Sequence, residues 1–347
     1  MTAQQPRVLR SGWSALGVAL AAVWLLAGCA GSSASGDQIT LYDGQHPQTT
    51  QALVSAFEKA TGITVNVRND DEDTLADELV SEGSRSPADV IYTENSPALE
   101  YLQGRGLLAA VEPSTLADTP SRYNSAAGDW VGVSARVSVL IYNPSLISES
   151  QLPTSILQLA DSRYQGELAL APGETDFQPI VTSVARTYGS AAALTWLQGL
   201  KVNAGSHIYP DNETIADEVN RGAVAFGIVN QYYWYRMGSE LGASNVHSEI
   251  AYLAPHDPGY VLDVSGAAVL RSSTHQPAAQ RFLAFLVSEQ GQEIIARSTS
   301  YEYPIASGVT TAQPETPFDE LQPTSITISE LGDGSTAISL MQQAGLL

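Results

Sequence analysis

The amino-acid sequence predicts an α/β fold with two lobes. Short β-branched runs alternate with segments whose apolar residues recur at helical spacing, and this alternation pauses once and then resumes. The length of 347 residues also corresponds to about two domains of ordinary size. Because strands separated by helices usually pair in parallel, we expect a mostly parallel sheet with helices on both faces.

The first stretch of the chain alternates three strands with three helices. Its first strand is apolar and ends at a turn signal, Asp43-Gly44, and its second strand alternates β-branched residues. Its first helix repeats apolar residues every three or four positions and ends at Gly62, a residue favoured at helix ends. The predicted strands are 39–42, 63–67 and 88–92, and the predicted helices are 49–61, 74–82 and 97–104.

A predicted pair of strands interrupts the alternation before it resumes. The pair covers 130–134 and 137–142 and encloses Ala135-Arg136. A tail rich in proline and threonine begins at Ala312 and ends in a short helix. The later predicted strands are 167–171, 223–229, 250–254 and 264–270, and the later predicted helices are 178–188, 191–200, 213–221, the long amphipathic 278–295, and 337–344.

The N-terminus has the parts of an export signal. Arg7 and Arg10 form a basic start, an apolar stretch follows at 15–27, and small residues precede Cys29. Leu-Ala-Gly-Cys resembles the lipobox of bacterial lipoproteins, which implies that the thiol of Cys29 carries a diacylglyceryl group and anchors the protein durably. We therefore expect a signal peptide at 1–28, and a lipidated cysteine with a flexible tether at 29–37. The alternative is an uncleaved membrane helix, which the short apolar stretch disfavours.

Composition excludes several classes of protein. The 37 acidic and 16 basic residues give a net charge of −21, which repels polyanions and makes nucleic acid an unsuitable partner. One cysteine excludes an intramolecular disulfide and any site built on CxxC. The sequence also contains no HExxH, GxSxG, P-loop or GxGxxG motif, so we expect no enzyme activity. Two lobes with an export signal suggest an extracytoplasmic solute-binding protein that holds ligand between its lobes and closes by a hinge.

Polar side chains that could bind a ligand follow several predicted strands. His46 and Glu94 come after the first and third strands, and Tyr232-Tyr233 come after the strand at 223–229. In α/β sheets, ligands bind beyond the carboxyl ends of the strands, so these side chains can face one crevice. The first two lie early in the chain and the tyrosines lie late, so a site built from them would join the two lobes.

The segments around these residues resemble the ferric-iron-binding proteins of bacterial ABC transporters, the FbpA-like periplasmic family. The matching segments are YDGQH, PADVIYTE, VNQYYWYR, HDPGYVLDVSGAAVL and LMQQAGLL, and the similarity runs over residues 38–347. The resemblance implies a type II periplasmic binding protein that acts as a monomer and hands iron to an ABC permease. It also implies that Fe(III) is held by His46, Glu94, Tyr232 and Tyr233.

The chemistry of Fe(III) agrees with these ligands. A free phenol has a pKa of about 10, but a bound cation holds tyrosine as the phenolate. Two phenolates and one carboxylate balance the charge of Fe(III), a hard cation, and an imidazole adds a nitrogen ligand. The absence of thiolate makes Cu(I) and structural zinc poor matches. Two coordination positions remain for water or an anion.

In much of this family an anion such as phosphate completes the coordination. Its usual segment is a turn of small residues before a helix, whereas the aligned turn here contains Glu174 and Asp176, which would repel phosphate. Either carboxylate could bind the metal or turn outward as a helix cap. The residues that match anion contacts, for phosphate or carbonate, are Arg136, Thr175, Asn212 and Asn230.

The predicted lobe boundaries follow from the same order of elements. One lobe comprises 38–135 with 264–312, and the other comprises 136–263 with 313–347. Alternative functions are an ABC solute-binding protein for an organic or oxyanion ligand, a sensor or adhesin paralogue, and a metal-dependent enzyme. The altered turn keeps the first alternative open. The protein is expected on the periplasmic side or the outer face of the cell membrane, held by its lipid.

Overall fold

This computed structural model describes residues 37–306 and 308–347, which contain nine strands and twelve α-helices. The predicted signal peptide and Cys29 lie outside these residues. The strands are β1 Gln38–Gly44, β2 Thr64–Asn69, β3 Val90–Thr93, β4 Val131–Tyr142, β5 Leu168–Ala169, β6 Phe226–Asn230, β7 Glu249–Ala251, β8 Leu262–Val269 and β9 Tyr303–Pro304. The helices are α1 Pro47–Thr61, α2 Glu72–Glu82, α3 Ser96–Gly104, α4 Pro113–Ala117, α5 Phe177–Tyr188, α6 Ser190–Ala204, α7 Asn212–Asn220, α8 Gln231–Leu241, α9 Gln276–Val287, α10 Glu289–Ala296, α11 Ile328–Leu331 and α12 Ser335–Ala344.

Most predicted elements are confirmed, but the strand pair around Arg136 was wrong. Residues 131–142 form one strand, β4, which is buried along its whole length and takes in nearly all of both predicted strands. Arg136 breaks the apolar pattern in the sequence, yet it continues the ladder opposite Asp263. The strand stays buried because the guanidinium of Arg136 finds a buried carboxylate partner in Glu302.

The long helix predicted at 278–295 was also wrong, because the structure divides it into α9 and α10. Ser288 separates them with an extended backbone, at φ −67° and ψ 160°. Its hydroxyl oxygen accepts a hydrogen bond from the backbone N–H of Gly291 at 3.2 Å and so caps the second helix. A serine within an apolar helical pattern therefore marks a helix start here.

The sheet is mixed, and the prediction of a mostly parallel sheet was wrong. Its strand order is β2-β1-β3-β8-β4-β6-β5, with β7 and β9 also paired to β4. The pairs β1–β2, β1–β3 and β5–β6 are parallel, whereas β3–β8 and every pair that includes β4 are antiparallel.

The direction of the strands follows from how β4 crosses the molecule. Residues 131–137 of β4 pair with β8, and residues 138–142 pair with β6, so β4 joins two half-sheets. The strand β6 ends at this junction, and β1 and β3 run toward it, as the pairings with β4 and β8 indicate. A strand that starts at the junction must run opposite to strands that run toward it. In one half-sheet β8 starts at the junction, so it is antiparallel to β3 and β4. In the other half-sheet β4 continues from the junction, so it is antiparallel to β6.

The helices α1 and α9 pack together on one face of the sheet. The rings of Phe57 on α1 and Phe282 on α9 meet edge to face, with centroids 5.0 Å apart. They belong to the core that covers one face of the half-sheet formed by β1, β2, β3 and β8. The helix α1 begins with Pro47, whose fixed φ suits the first helical position. Within the described residues, no helix has the length and apolar character needed to cross a bilayer.

The contact between β6 and α7 allows a test of this packing. A Cβ atom on Gly227 would lie 2.5 Å from a methyl carbon of Ile215 and 3.2 Å from the Cβ of Ala169, so Gly227→Ala overpacks the core. We expect it to lower the free energy of unfolding by about 1–3 kcal/mol, measured by urea denaturation. The control Gly104→Ala, where a Cβ meets nothing within 4 Å, should leave stability equal or slightly higher. Equal stability of both variants would contradict this account.

Candidate metal centre

The four side chains predicted to bind metal lie together at the junction of the half-sheets. His46 follows β1, Glu94 follows β3, and Tyr232 and Tyr233 occupy the first turn of α8 after β6. The hydroxyl of Tyr232 donates to Glu94 Oε1 at 2.5 Å, and His46 Nε2 lies 3.3 Å from the same oxygen. The ring centroid of Tyr232 lies 5.0 Å from the ring centroid of His46 and 4.2 Å from that of Tyr233. Residues far apart in the chain thus form one cluster.

Burial sets the protonation of these ligand candidates. Burial raises the pKa of the Tyr232 and Tyr233 phenols well above their ordinary value, and the nearby carboxylates of Asp176 and Glu94 raise it further. Burial lowers the pKa of His46 to about 4. The imidazole is therefore neutral, and its Nε2 atom is buried without a hydrogen-bond partner. A neutral imidazole nitrogen is a metal ligand, and a bound cation would favour the phenolates.

Asp176 also faces the phenols. Its Oδ2 atom lies 3.2 Å from the Tyr232 hydroxyl and accepts hydrogen bonds from the Tyr233 hydroxyl at 3.1 Å and from the Asn212 side-chain amide at 3.2 Å. Asp176 precedes α5 but forms no side-chain capping bond, so the outward cap considered from the sequence is wrong for this residue. Burial and the charge of Asp176 raise the pKa of the neighbouring Glu174 to about 8.

The other residues predicted to contact an anion occupy different positions. Thr175 accepts a hydrogen bond from the side-chain amide of Asn95 at 3.0 Å. Asn212 donates to Asp176, and Asn230 is buried at the start of α8. The cavity lined by Asp176, Asn212 and Asn230 has a volume of about 10 Å³. That volume admits about one water molecule and is too small for phosphate.

Arg136, predicted to hold an anion, instead forms a buried ion pair with Glu302. Its Nη2 atom lies 2.6 Å from Glu302 Oε1 and 3.2 Å from Glu94 Oε1. Glu302 also accepts a hydrogen bond from the Ser134 hydroxyl at 2.5 Å. Together, His46, Glu94 and Glu302 place ligand-type atoms within 4.8 Å of one another. Because Arg136 already neutralises Glu302, we interpret this carboxylate as its counter-ion.

Sequence reasoning missed Glu302. It lies between two tyrosines in a stretch without periodic pattern, just before β9, so nothing local marks it. The signal that could have found it is Arg136, since an arginine inside an apolar strand needs a buried acidic partner. That signal predicts that a partner exists but does not say which of the 37 acidic residues it is.

Comparison with known proteins agrees with this arrangement. A model described as bacterial extracellular solute-binding protein matches residues 52–320 of the chain. The chain belongs to this family. The solute-binding protein is 37% identical over 336 residues to the "Fe(3+)-binding periplasmic protein" of Serratia marcescens, and the alignment covers 96% of this chain and 98% of that one.

Two further relatives are of similar length. The "Major ferric iron-binding protein" of Neisseria meningitidis serogroup A is 35% identical to this solute-binding protein over 310 residues, covering 89% of this chain and 93% of that one. The crystal structure of iron-bound HitA from Pseudomonas aeruginosa superimposes with a TM-score of 0.85 at 41% identity, covering 89% and 99% of the two chains. These matches confirm the predicted two-lobed α/β fold.

The buried ion pair makes a prediction about stability. Glu302→Gln leaves the Arg136 guanidinium without its main counter-ion inside the protein. We expect the free energy of unfolding to fall by about 3 kcal/mol, the lower end of the range for breaking a buried pair, because Glu94 remains nearby. The measurement is urea denaturation.

The control is Glu293→Gln, which breaks the exposed pair between Glu293 on α10 and Arg297, the residue that follows this helix. Exposed pairs contribute about 0–1 kcal/mol, so this variant should unfold close to the wild type. If Glu302→Gln were as stable as the control, the buried pair would not hold the junction together.

Proposed function

We propose that this solute-binding protein captures Fe(III) outside the cytoplasm and delivers it to an ABC permease. The observation that carries the proposal is the 2.5 Å hydrogen bond from Tyr232 to Glu94, which joins two predicted iron ligands from distant parts of the chain. Relatives that align over nearly the whole chain are named for ferric iron. Capture and release require binding alone, so the role is transport and not catalysis.

The proposed iron ligands are His46, Glu94, Tyr232 and Tyr233. Fe(III) would replace the protons that the phenols now donate to Glu94 and Asp176, because a cation favours the phenolate form. Hard, anionic oxygen donors suit this ion better than Cu(I) or zinc. The neutral imidazole of His46 would add a nitrogen ligand without adding charge.

Closure of two lobes would complete the site. We assign 38–135 with 264–312 to one lobe and 136–263 with 313–347 to the other. His46 and Glu94 then belong to the first lobe, and Tyr232 and Tyr233 belong to the second. Iron held by both lobes would stabilise the closed form, and opening would release it to the permease.

We also propose that the protein is a monomer attached to the cell membrane through lipid on Cys29. The support for the lipid anchor is the Leu-Ala-Gly-Cys sequence after a basic start and an apolar stretch, and the monomer is what the family resemblance implies. The family is extracellular by description, which agrees with export. A short tether of small residues would let the binding lobes reach the permease from the anchor.

The ligand set can be tested by spectroscopy. Wild-type protein titrated with Fe(III) citrate should show a visible charge-transfer band from tyrosinate to iron. Tyr232→Phe/Tyr233→Phe removes both phenolate donors and should show no band. The matched control Tyr235→Phe changes a tyrosine of the same helix whose ring stacks on Tyr301, so it should keep the band. Absence of a band in the wild type at any iron excess would refute ferric binding.

Asp176 would take the place of the exogenous anion in this protein. Its carboxylate lies against both phenols, in the turn where the family resemblance places phosphate. A fixed carboxylate would repel an oxyanion and could itself bind Fe(III), and the adjoining cavity is too small for phosphate. This position also disfavours the alternative of an oxyanion solute.

A second experiment tests whether Asp176 replaces the anion. Protein is loaded with Fe(III) citrate and filtered into buffer free of phosphate and carbonate, and the retained iron is measured. The wild type should keep its iron, because Asp176 supplies a carboxylate. Asp176→Ser should lose most of it and recover binding when phosphate is added. The control Glu174→Gln should behave as the wild type, and dependence of the wild type on added anion would contradict the assignment.

A further inference from the structure

Arg236 lies over both tyrosine rings of the candidate metal centre. Its guanidinium carbon is 5.5 Å from the ring centroid of Tyr232 and 5.3 Å from that of Tyr233. On α8, Arg236 follows Tyr233 by three positions and Tyr232 by four, and residues at these spacings are neighbours on the surface of a helix. The contact is therefore a consequence of the helix that presents the tyrosines.

Arg236 also forms an ion pair. Its guanidinium pairs with Glu213 on α7, whose side chain is 57% exposed, so that solvent weakens the pair. The guanidinium carbon of Arg136 lies 5.9 Å from the ring centroid of Tyr232, and Arg136 does not lie over Tyr233. In the part of the chain that the structure describes, Arg236 is thus the cation that lies over both rings.

We propose that Arg236 tunes iron binding through the ring faces of Tyr232 and Tyr233 without touching the metal. This inference rests on the proposed function, in which both tyrosines bind Fe(III) as phenolates. A cation within about 6 Å of an aromatic face is attracted by its negative π-system. A phenolate ring carries more negative charge than a phenol ring, so Arg236 stabilises the iron-bound form more than the iron-free form.

This mechanism changes the colour of the iron complex as well as its stability. In the charge-transfer transition, an electron leaves the phenolate for the iron. A positive charge over the ring holds that electron more tightly, so the transition needs more energy. Removal of the charge should shift the band to longer wavelength, and removal of the opposing Glu213 charge should shift it to shorter wavelength.

The test uses the purified full-length protein loaded with Fe(III) citrate. Arg236→Gln should move the band to longer wavelength and speed iron loss to excess EDTA by roughly two- to fivefold, the factor that corresponds to an exposed cation–π contact. Glu213→Gln should move the band to shorter wavelength and slow iron loss. Arg236→Lys keeps the charge and should lie between Arg236→Gln and the wild type.

The opposite shifts separate electrostatics from simple disruption. Both glutamine variants break the same ion pair, so a merely structural role would move the band and the rate in one direction for both. A wild-type band position and rate in Arg236→Gln would overturn the inference, as would shifts of the same sign in both variants. If Arg236→Gln fails to fold, Glu213→Gln and Arg236→Lys decide the question. A wild-type protein without any band would instead refute the proposed function.

Discussion

The buried guanidinium of Arg136 is the interaction on which the centre of this molecule depends. It lies in β4, where that strand passes from one half-sheet to the other, and it is fully buried. Its pair with Glu302 makes a continuous buried strand possible, because an unpaired charge there would cost several kcal/mol. The same guanidinium lies 3.2 Å from Glu94, which links the junction of the half-sheets to the candidate metal centre.

The charges around the phenols explain why this cluster suits a trivalent cation. Glu94 and Asp176 accept hydrogen bonds from the buried hydroxyls, and burial with these carboxylates raises the pKa of both tyrosines. In the structure described here, the phenol protons therefore form hydrogen bonds with the carboxylate oxygens of Glu94 and Asp176. An ion that displaces them must bring enough charge to stabilise two phenolates and the carboxylates at once, which favours Fe(III) over divalent cations. Arg236 adds positive charge from the outer side of the rings.

Sequence reasoning was reliable where one local pattern carried the information. The alternation of strands and helices placed His46, Glu94 and the tyrosines at strand ends, and the structure brings them together. It was wrong for β4, because the charge of Arg136 mimics a break, and for α9 and α10, because a serine cap interrupts an unbroken apolar pattern. The proposal that these residues bind iron came from resemblance to a family, since histidine, glutamate and tyrosine at strand ends serve many purposes.

The sequence by itself determined the α/β class, the order of nearly all elements and the strand ends that carry the candidate ligands. The tertiary structure alone decided that β4 and β8 run against their neighbours, that Glu302 neutralises Arg136, and that Asp176 turns toward the phenols. The physical reason is one of range. Periodicity reports which face of a local element is buried, whereas the partner of a buried charge is whichever group the folded chain brings within a few ångströms.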